Sequence, residues 1–339
     1  MFRFIRFSLQ KEAEALEAFA RLALVLDELD IPILYTTHIL QNVLASARRE
    51  PNWSSAHVAV DISLKSVFSV NAAPSAHLGR TDCDSLGRSP LALAVKQNKR
   101  EMVEHLITIG APTGSQDHQG DTIYHYCLEM GDEGIALLQY LISHHREPDP
   151  AANLINSQGE SPLHVAVRLN REKFFALLVD GLNVRVNVDA PKGRIIHYIL
   201  KFINEPKRRA EWIDKVVQLG ADEVNAVDEK YGGTPLHWAR SKDDITQLVK
   251  FGAQLEQKSI TDDRALHIMV VRKRADAAYT LILNGAEINR AGQGGNTPLH
   301  YACQSGDITL VKALILFGAD CNAKNGNGKT PGLLAIEHR

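Results

Sequence analysis

Apolar and polar positions in this chain are arranged in short blocks, each with the same internal order. The block around Thr297 shows every part. Gly292 and the Gly294-Gly295 pair mark a tight turn, Thr297 is a helix cap, and Pro298 occupies the first helical position, where its missing amide hydrogen costs nothing. Leu299, Ala302 and Cys303 then fall on one side of a short helix that ends at Gly306. A second helix is predicted over residues 308–316, with Ile308, Val311, Leu314 and Ile315 as its apolar stripe and Gly318-Ala319 as its stop. Neither helix alone can bury such a stripe. Stacked copies can.

The block recurs. Gly233-Thr234-Pro235-Leu236-His237, Gly295-Asn296-Thr297-Pro298-Leu299-His300 and Gly159-Glu160-Ser161-Pro162-Leu163-His164 are its clearest copies. Looser ones end at His57, Ala92, His125, His197, His267 and Leu333, at intervals of 30 to 40 residues of which 33 is the commonest. About nine units therefore fill the chain from residue 50 onward, the signature of an ankyrin-type stack of helix pairs. The expected fold is an all-α ankyrin-repeat solenoid over residues 50–339 with an N-terminal helical cap over residues 1–49.

Departures from the period locate special features. In the cap, helices are expected at 13–29 and 37–48, and a short strand is admitted at 2–9. The segment 50–60, with Trp53 and His57, keeps the first-helix pattern without Thr-Pro. Extra residues between His125 and His164 fall at 144–150, a polar stretch with Pro148 and Pro150. Those between His197 and His237 fall at 204–209, where a widened turn between two helices is expected. The His237 unit is about three residues short, at 240–244. After Thr330-Pro331, the last helix reaches Arg339 without a partner, so the chain is expected to be cut off there.

Composition supports folding and narrows function. Hydrophobic residues make up 45% and charged residues 23%, enough apolar material for a continuous core. A net charge of -2 offers no general attraction for nucleic acid, and the basic runs Lys207-Arg208-Arg209 and Arg272-Lys273-Arg274 read as solvated faces. Cys83, Cys127, Cys303 and Cys321 lack Cys-x-x-Cys spacing, so reduced core thiols are expected. No apolar run nears the roughly 18 residues of a membrane span, and residues 1–9 lack a signal-peptide pattern. A cytoplasmic location, with at most peripheral association at membranes or mitochondria, is the expectation.

No residue set points to catalysis, a metal or a cofactor. Seven of the fourteen histidines occupy the slot after Leu or its equivalent: His57, His125, His164, His197, His237, His267 and His300. Sites one repeat apart, roughly 10 Å in a helix stack, cannot converge on one ion, so these imidazoles are expected to hydrogen-bond between units. Cys83-Asp84-Ser85-Leu86-Gly87 and Gly87-Arg88-Ser89-Pro90-Leu91 each lack a glycine of Gly-x-Ser-x-Gly. In Gly326-Asn327-Gly328-Lys329-Thr330, Ala323 stands where a phosphate loop needs its first glycine. The chain reads as a protein-binding module. Candidate partner residues are Lys96, Gln97, Arg168, Arg240, Arg272 and Gln304 on the concave first-helix face, with Asp117, Asp228, Tyr231, Arg290 and Asn325 at loop tips.

Several stretches resemble one family in order along the chain. Phe2-Arg3-Phe4 leading into Glu12-Ala13-Glu14-Ala15-Leu16, Glu50-Pro51-Asn52-Trp53 through Val60, Tyr231-Gly232-Gly233 through Ala239 with its short unit, and Phe317-Gly318-Ala319 through Pro331 are similar to the ankyrin region of group VIA calcium-independent phospholipase A2. Met1 falls where the likeness is already under way. That resemblance implies a patatin-like lipase domain after the repeats, where a Gly-x-Ser-x-Gly serine and an aspartate cleave the sn-2 ester of phospholipids; those positions have no counterpart here. It implies a non-enzymatic module that binds proteins, among them subunits of the parent phospholipase, and regulates phospholipid hydrolysis. The alternatives are an incomplete chain of the full enzyme, whose catalytic domain lies beyond residue 339, and an unrelated ankyrin scaffold.

Overall fold

Several repeats begin at a turn that a single Asp or Asn closes. In the computed structural model, which describes residues 57, 83–144, 149–182, 184–190, 193–220 and 224–337, Asp117 accepts the amides of Gln119 (2.8 Å) and Asp121 (2.9 Å). Asn156 does the same for Gln158 and Glu160, and Asn325 for Asn327 and Lys329, all at 3.0 Å. The turn delivers the chain to a Thr, Ser or Arg at the helix start.

Fifteen α-helices follow from these starts, with no strand among the described residues. They are α1 Pro90–Lys96, α2 Arg100–Thr108, α3 Ile123–Glu129, α4 Asp132–His144, α5 Pro162–Arg168, α6 Glu172–Ala176, α7 Ile195–Phe202, α8 Pro206–Leu219, α9 Pro235–Trp238, α10 Lys242–Lys250, α11 Ala265–Val271, α12 Ala275–Leu283, α13 Pro298–Ser305, α14 Ile308–Leu316 and α15 Pro331–Glu337. A π turn, Leu177–Gly181, continues α6.

The chain divides into two compact units, and the division runs through α5 and α6. In the first, which includes residues up to Val165 and Lys173–Val184, α1 packs on α2 and α3, and α3 on α4. In the second, Ala166–Glu172 and the chain from Arg185 onward, the first helices α7, α9, α11, α13 and α15 pack in sequence as one layer. The second helices α8, α10 and α12 pack in sequence as another. Between the layers lie Ile199, Leu236, Met269 and Ala302, all fully buried. Ile199, Leu236 and Met269 each contribute about 1.5–3 kcal/mol on leaving water.

The predicted block around Thr297 is present: Thr297 caps α13 in a capping box with His300, Pro298 is at the first position, and Gly306 ends the helix in the left-handed region (φ 66°). Three expectations are corrected. The stripe of α14 is Leu310 and Leu314, both fully buried, whereas Ile308 and Ile315 are exposed, because the helix turns its 310/314 side to the core. Residues 204–209 do not widen a turn. Pro206 opens α8, which runs 14 residues where α10, α12 and α14 run 9, so the extra residues lengthen the outer helix. Within this longer helix Arg209 turns inward to a buried ion pair with Asp244 of α10 (Nε–Oδ1 2.6 Å, both side chains 3% exposed). The thiols are not all core groups: Cys127 is buried, Cys83 and Cys303 are half-buried and Cys321 is exposed.

The other long interval is likewise taken up in part by an outer helix, α4, of 13 residues, and Asp149 then caps the 3-10 turn Pro150–Asn153. The short unit is short in its first helix: α9 has 4 residues against 8 in α13. The cap helices at 13–29 and 37–48, the strand at 2–9, residues 145–148 and the first unit other than His57 lie outside the described residues.

Candidate protein-binding groove

The repeated histidine does structural work at every step where its bonds are resolved. In α9, the Thr234 amide donates to His237 Nδ1 (3.1 Å), which places the ring proton on Nε2. Nε2 then donates to the carbonyl of Asp263 in the next repeat (3.1 Å). The same link runs from His57 to Arg88 O, His125 to Glu160 O, His197 to Gly233 O, His267 to Arg290 O and His300 to Lys329 O, at 2.7–3.1 Å. Burial lowers the pKa of His125, His237 and His267 and brings His197 down to about 4, so these rings are neutral at pH 7. Neutral, and with Nε2 bonded to a main-chain carbonyl of the next repeat, they are stacking links.

A functional surface arises where α9 stops a turn early. Ala239 has left the helix (φ -51°, ψ 144°), so late carbonyls of α9 have no following turn to bond. Arginines of neighbouring repeats take them: Arg272 Nη1 donates to His237 O (3.0 Å) and Arg274 Nη1 to Ala239 O. Arg240 reaches back to Asn204 Oδ1 (2.9 Å). The short helix therefore gathers cations at its end.

Beside it, the loop at 228–233 folds over a buried carboxylate. Asp228 accepts the amides of Tyr231 (2.6 Å) and Gly233 (2.9 Å) and the indole Nε1 of Trp238 (3.1 Å). The fit around Gly233 is tight, since a Cβ would meet Asp228 Oδ2 at 3.0 Å and His237 Cβ at 3.3 Å. The Tyr231 carbonyl accepts the Ile260 amide (3.0 Å), which ties this loop to the next. Tyr231 and Trp238 then stand 6.1 Å apart, with Lys230 Nζ 4.9 Å from the Tyr231 ring and Lys201 Nζ 5.4 Å from the Trp238 ring.

These groups enclose a cavity of about 610 Å³, within the range of ligand sites. Its walls come from α7 (Lys201), the 228–233 loop and α9 (Asp228, Lys230, Tyr231, Gly233, His237, Trp238), the 259–261 loop, and α11 with its cap (Ile268, Arg272). Lys201, Lys230 and Arg272 outweigh Asp228, whose oxygens are filled by donors. Among the described residues none of the three cations pairs with a carboxylate. Ile260, 69% exposed, adds an apolar edge. The arrangement offers charge and ring faces for binding and no activated nucleophile.

Of the expected partner residues, the groove unites Asp228, Tyr231 and Arg272, with Arg240 alongside. Asp228 is corrected: it is 1% exposed and holds the loop from within, since its acceptors are spent on backbone and indole N–H groups. Asp117 and Asn325 are half-buried turn closers in the same way. Arg272 is partly turned to the His237 carbonyl, and Arg290 pairs with Glu287 (2.5 Å). Lys96 lies over the Tyr126 ring (5.3 Å), Gln97 and Arg168 are half-buried at the ends of α1 and α5, and Gln304 is exposed on α13; none of these lines the cavity. The sequence reading missed Lys201, Lys230, Trp238 and Ile260. A signal existed, since Trp238 follows His237 as Tyr126 follows His125 and Tyr301 follows His300.

Comparison with known proteins decides the family. A model of ankyrin repeats matches three copies over residues 91–189 and 266–339. The chain belongs to the ankyrin-repeat family. This ankyrin-repeat chain is 31% identical over 279 residues to the mouse 85/88 kDa calcium-independent phospholipase A2, covering 81% of the chain and 33% of that protein. It is 21% identical over 322 residues to the intracellular phospholipase A2 of Caenorhabditis elegans (87% of the chain, 28% of that protein). It is also 26% identical over 265 residues to the mouse B-cell lymphoma 3 protein homolog (77% and 43%). The ankyrin-repeat chain thus spans about a third of the length of the phospholipases it matches. No helix among the described residues is long and apolar enough to cross a membrane.

Proposed function

We propose that this ankyrin-repeat chain is a non-catalytic interaction module that binds a protein partner in the groove beside α9 and thereby regulates phospholipid hydrolysis by a calcium-independent phospholipase A2. The observation that carries the proposal is the cavity itself, whose cations are unspent on carboxylates and whose rings face outward, in a chain with that identity to the mouse phospholipase. The module acts in the cytoplasm and reaches membranes through the enzyme.

The test mixes the purified chain with the mouse phospholipase and measures both binding, by calorimetry, and sn-2 hydrolysis of phospholipid vesicles. Expected are binding and an altered rate, both lost in Lys201→Glu/Lys230→Glu. A chain that neither binds the enzyme nor changes its rate overturns the regulatory role. A second reading, that these residues are the front part of a phospholipase, draws on the chain matching about a third of that relative. Sequencing the transcript beyond the codon for Arg339 decides it: a reading frame that continues into Gly-x-Ser-x-Gly establishes the enzyme.

A further inference from the structure

The groove also specifies what chemistry its occupant must have. We infer that it binds an extended acidic peptide segment carrying one large apolar side chain, the cations holding the carboxylates and the Trp238–Tyr231–Ile260 wall holding the apolar group. This rests on the reading of the groove as a protein-binding surface and adds the partner's chemistry.

Three observations carry it. First, Lys201, Lys230 and Arg272 come from the end of α7, the 228–233 loop and the cap of α11, which places positive charge along three successive repeats. At roughly 10 Å per packed helix, that spacing suits several side chains of an extended strand. Second, the charge is unbalanced: the lining holds one carboxylate, Asp228, and that group is buried beneath three N–H donors. An acidic ligand supplies the missing countercharge, while a basic one meets like charge. Third, the rings and Ile260 leave apolar surface facing the same cavity, with Ile260 69% and Tyr231 48% exposed. A fully polar ligand leaves that wall wet. An apolar side chain buries it and takes that surface out of water.

Anisotropy titrations of the full chain with fluorescein-labelled peptides of equal length test the inference. One peptide is Asp/Glu-rich with a central Phe, one has Gly in place of the Phe, and one is Lys-rich with the Phe; vesicles of anionic phospholipid form a fourth arm. Expected is binding of the acidic Phe peptide at least about tenfold tighter than of the Lys-rich one, weakening between about 50 and 200 mM salt. Lys201→Glu/Lys230→Glu is expected to lower that affinity about tenfold or more with an unchanged melting temperature, because both side chains are exposed. Lys201→Gln/Lys230→Gln lowers it less, and Ile260→Ser abolishes the preference for Phe over Gly.

Equal binding of acidic and basic peptides overturns the inference, as does vesicle binding that depends on Lys201 and Lys230 while the acidic peptide fails. If every peptide fails but the mouse phospholipase still binds and Lys201→Glu/Lys230→Glu weakens it, the peptide chemistry is wrong and the protein-binding groove stands. If the enzyme also fails to bind, both readings fall.

Discussion

His300 is fully buried between a donor and an acceptor, the Thr297 amide at its Nδ1 (3.1 Å) and the Lys329 carbonyl at its Nε2 (3.0 Å). His300→Ala strands both, and is expected to cost about 1–3 kcal/mol in urea denaturation. Titration of the other rings gives a pH dependence. His125, His237 and His267 have folded pKa values below the ordinary 6.5, and His197 is near 4, so the unfolded chain binds more protons below pH 6.5. Stability is therefore full above pH 6.5 and declines as the pH falls toward 4, by about 1.4 kcal/mol per unit for a ring that titrates wholly between those limits. Urea midpoints measured across that range check the slope, and His197→Gln should make it shallower. The histidine role was legible because seven copies at one repeat spacing leave a structural explanation standing. Asp228 was misread as a surface contact because its loop is polar in sequence, while its partners are N–H groups brought close only when the loop closes.

Among the elements, α8 and α10 depend on one ion pair. Asp244 accepts Arg209 Nε and also the amides of Arg240 and Ser241 (2.8 and 3.0 Å), so a single carboxylate both holds α8 and caps α10. Asp244→Ala leaves the Arg209 charge buried and unpaired, and a loss of about 3–5 kcal/mol is expected in urea denaturation. Gly134 in α4 sets how near α3 comes: an added Cβ would lie 2.0 Å from the Cys127 carbonyl oxygen. Gly134→Ala should therefore lower the melting temperature although alanine is the better helix former, at a cost of about 1–3 kcal/mol. Helix starts were readable from Thr-Pro steps. The length of α8 was not, because Arg209 looks like a loop residue until its partner, 35 residues further on, is placed beside it.

For the whole molecule, repeats that pack chiefly on their neighbours make stability a local property. Asp244→Ala is expected to speed amide exchange in α8, α10 and α12 while the amides of α1–α4 keep their protection, as hydrogen exchange by mass spectrometry would show. Uniform loss of protection would refute that locality. The stacking of repeated helix pairs was legible at this scale, but the groove was not, since it is assembled from helix ends and loops of different repeats. The histidine links carry one more consequence. Their acceptors are main-chain carbonyls of Arg88, Glu160, Gly233, Asp263, Arg290 and Lys329, residues of every charge and size. A junction that reads the backbone ignores what side chain stands there. Repeats can then be copied, exchanged or allowed to drift without losing the join, and the surface is left free to diversify.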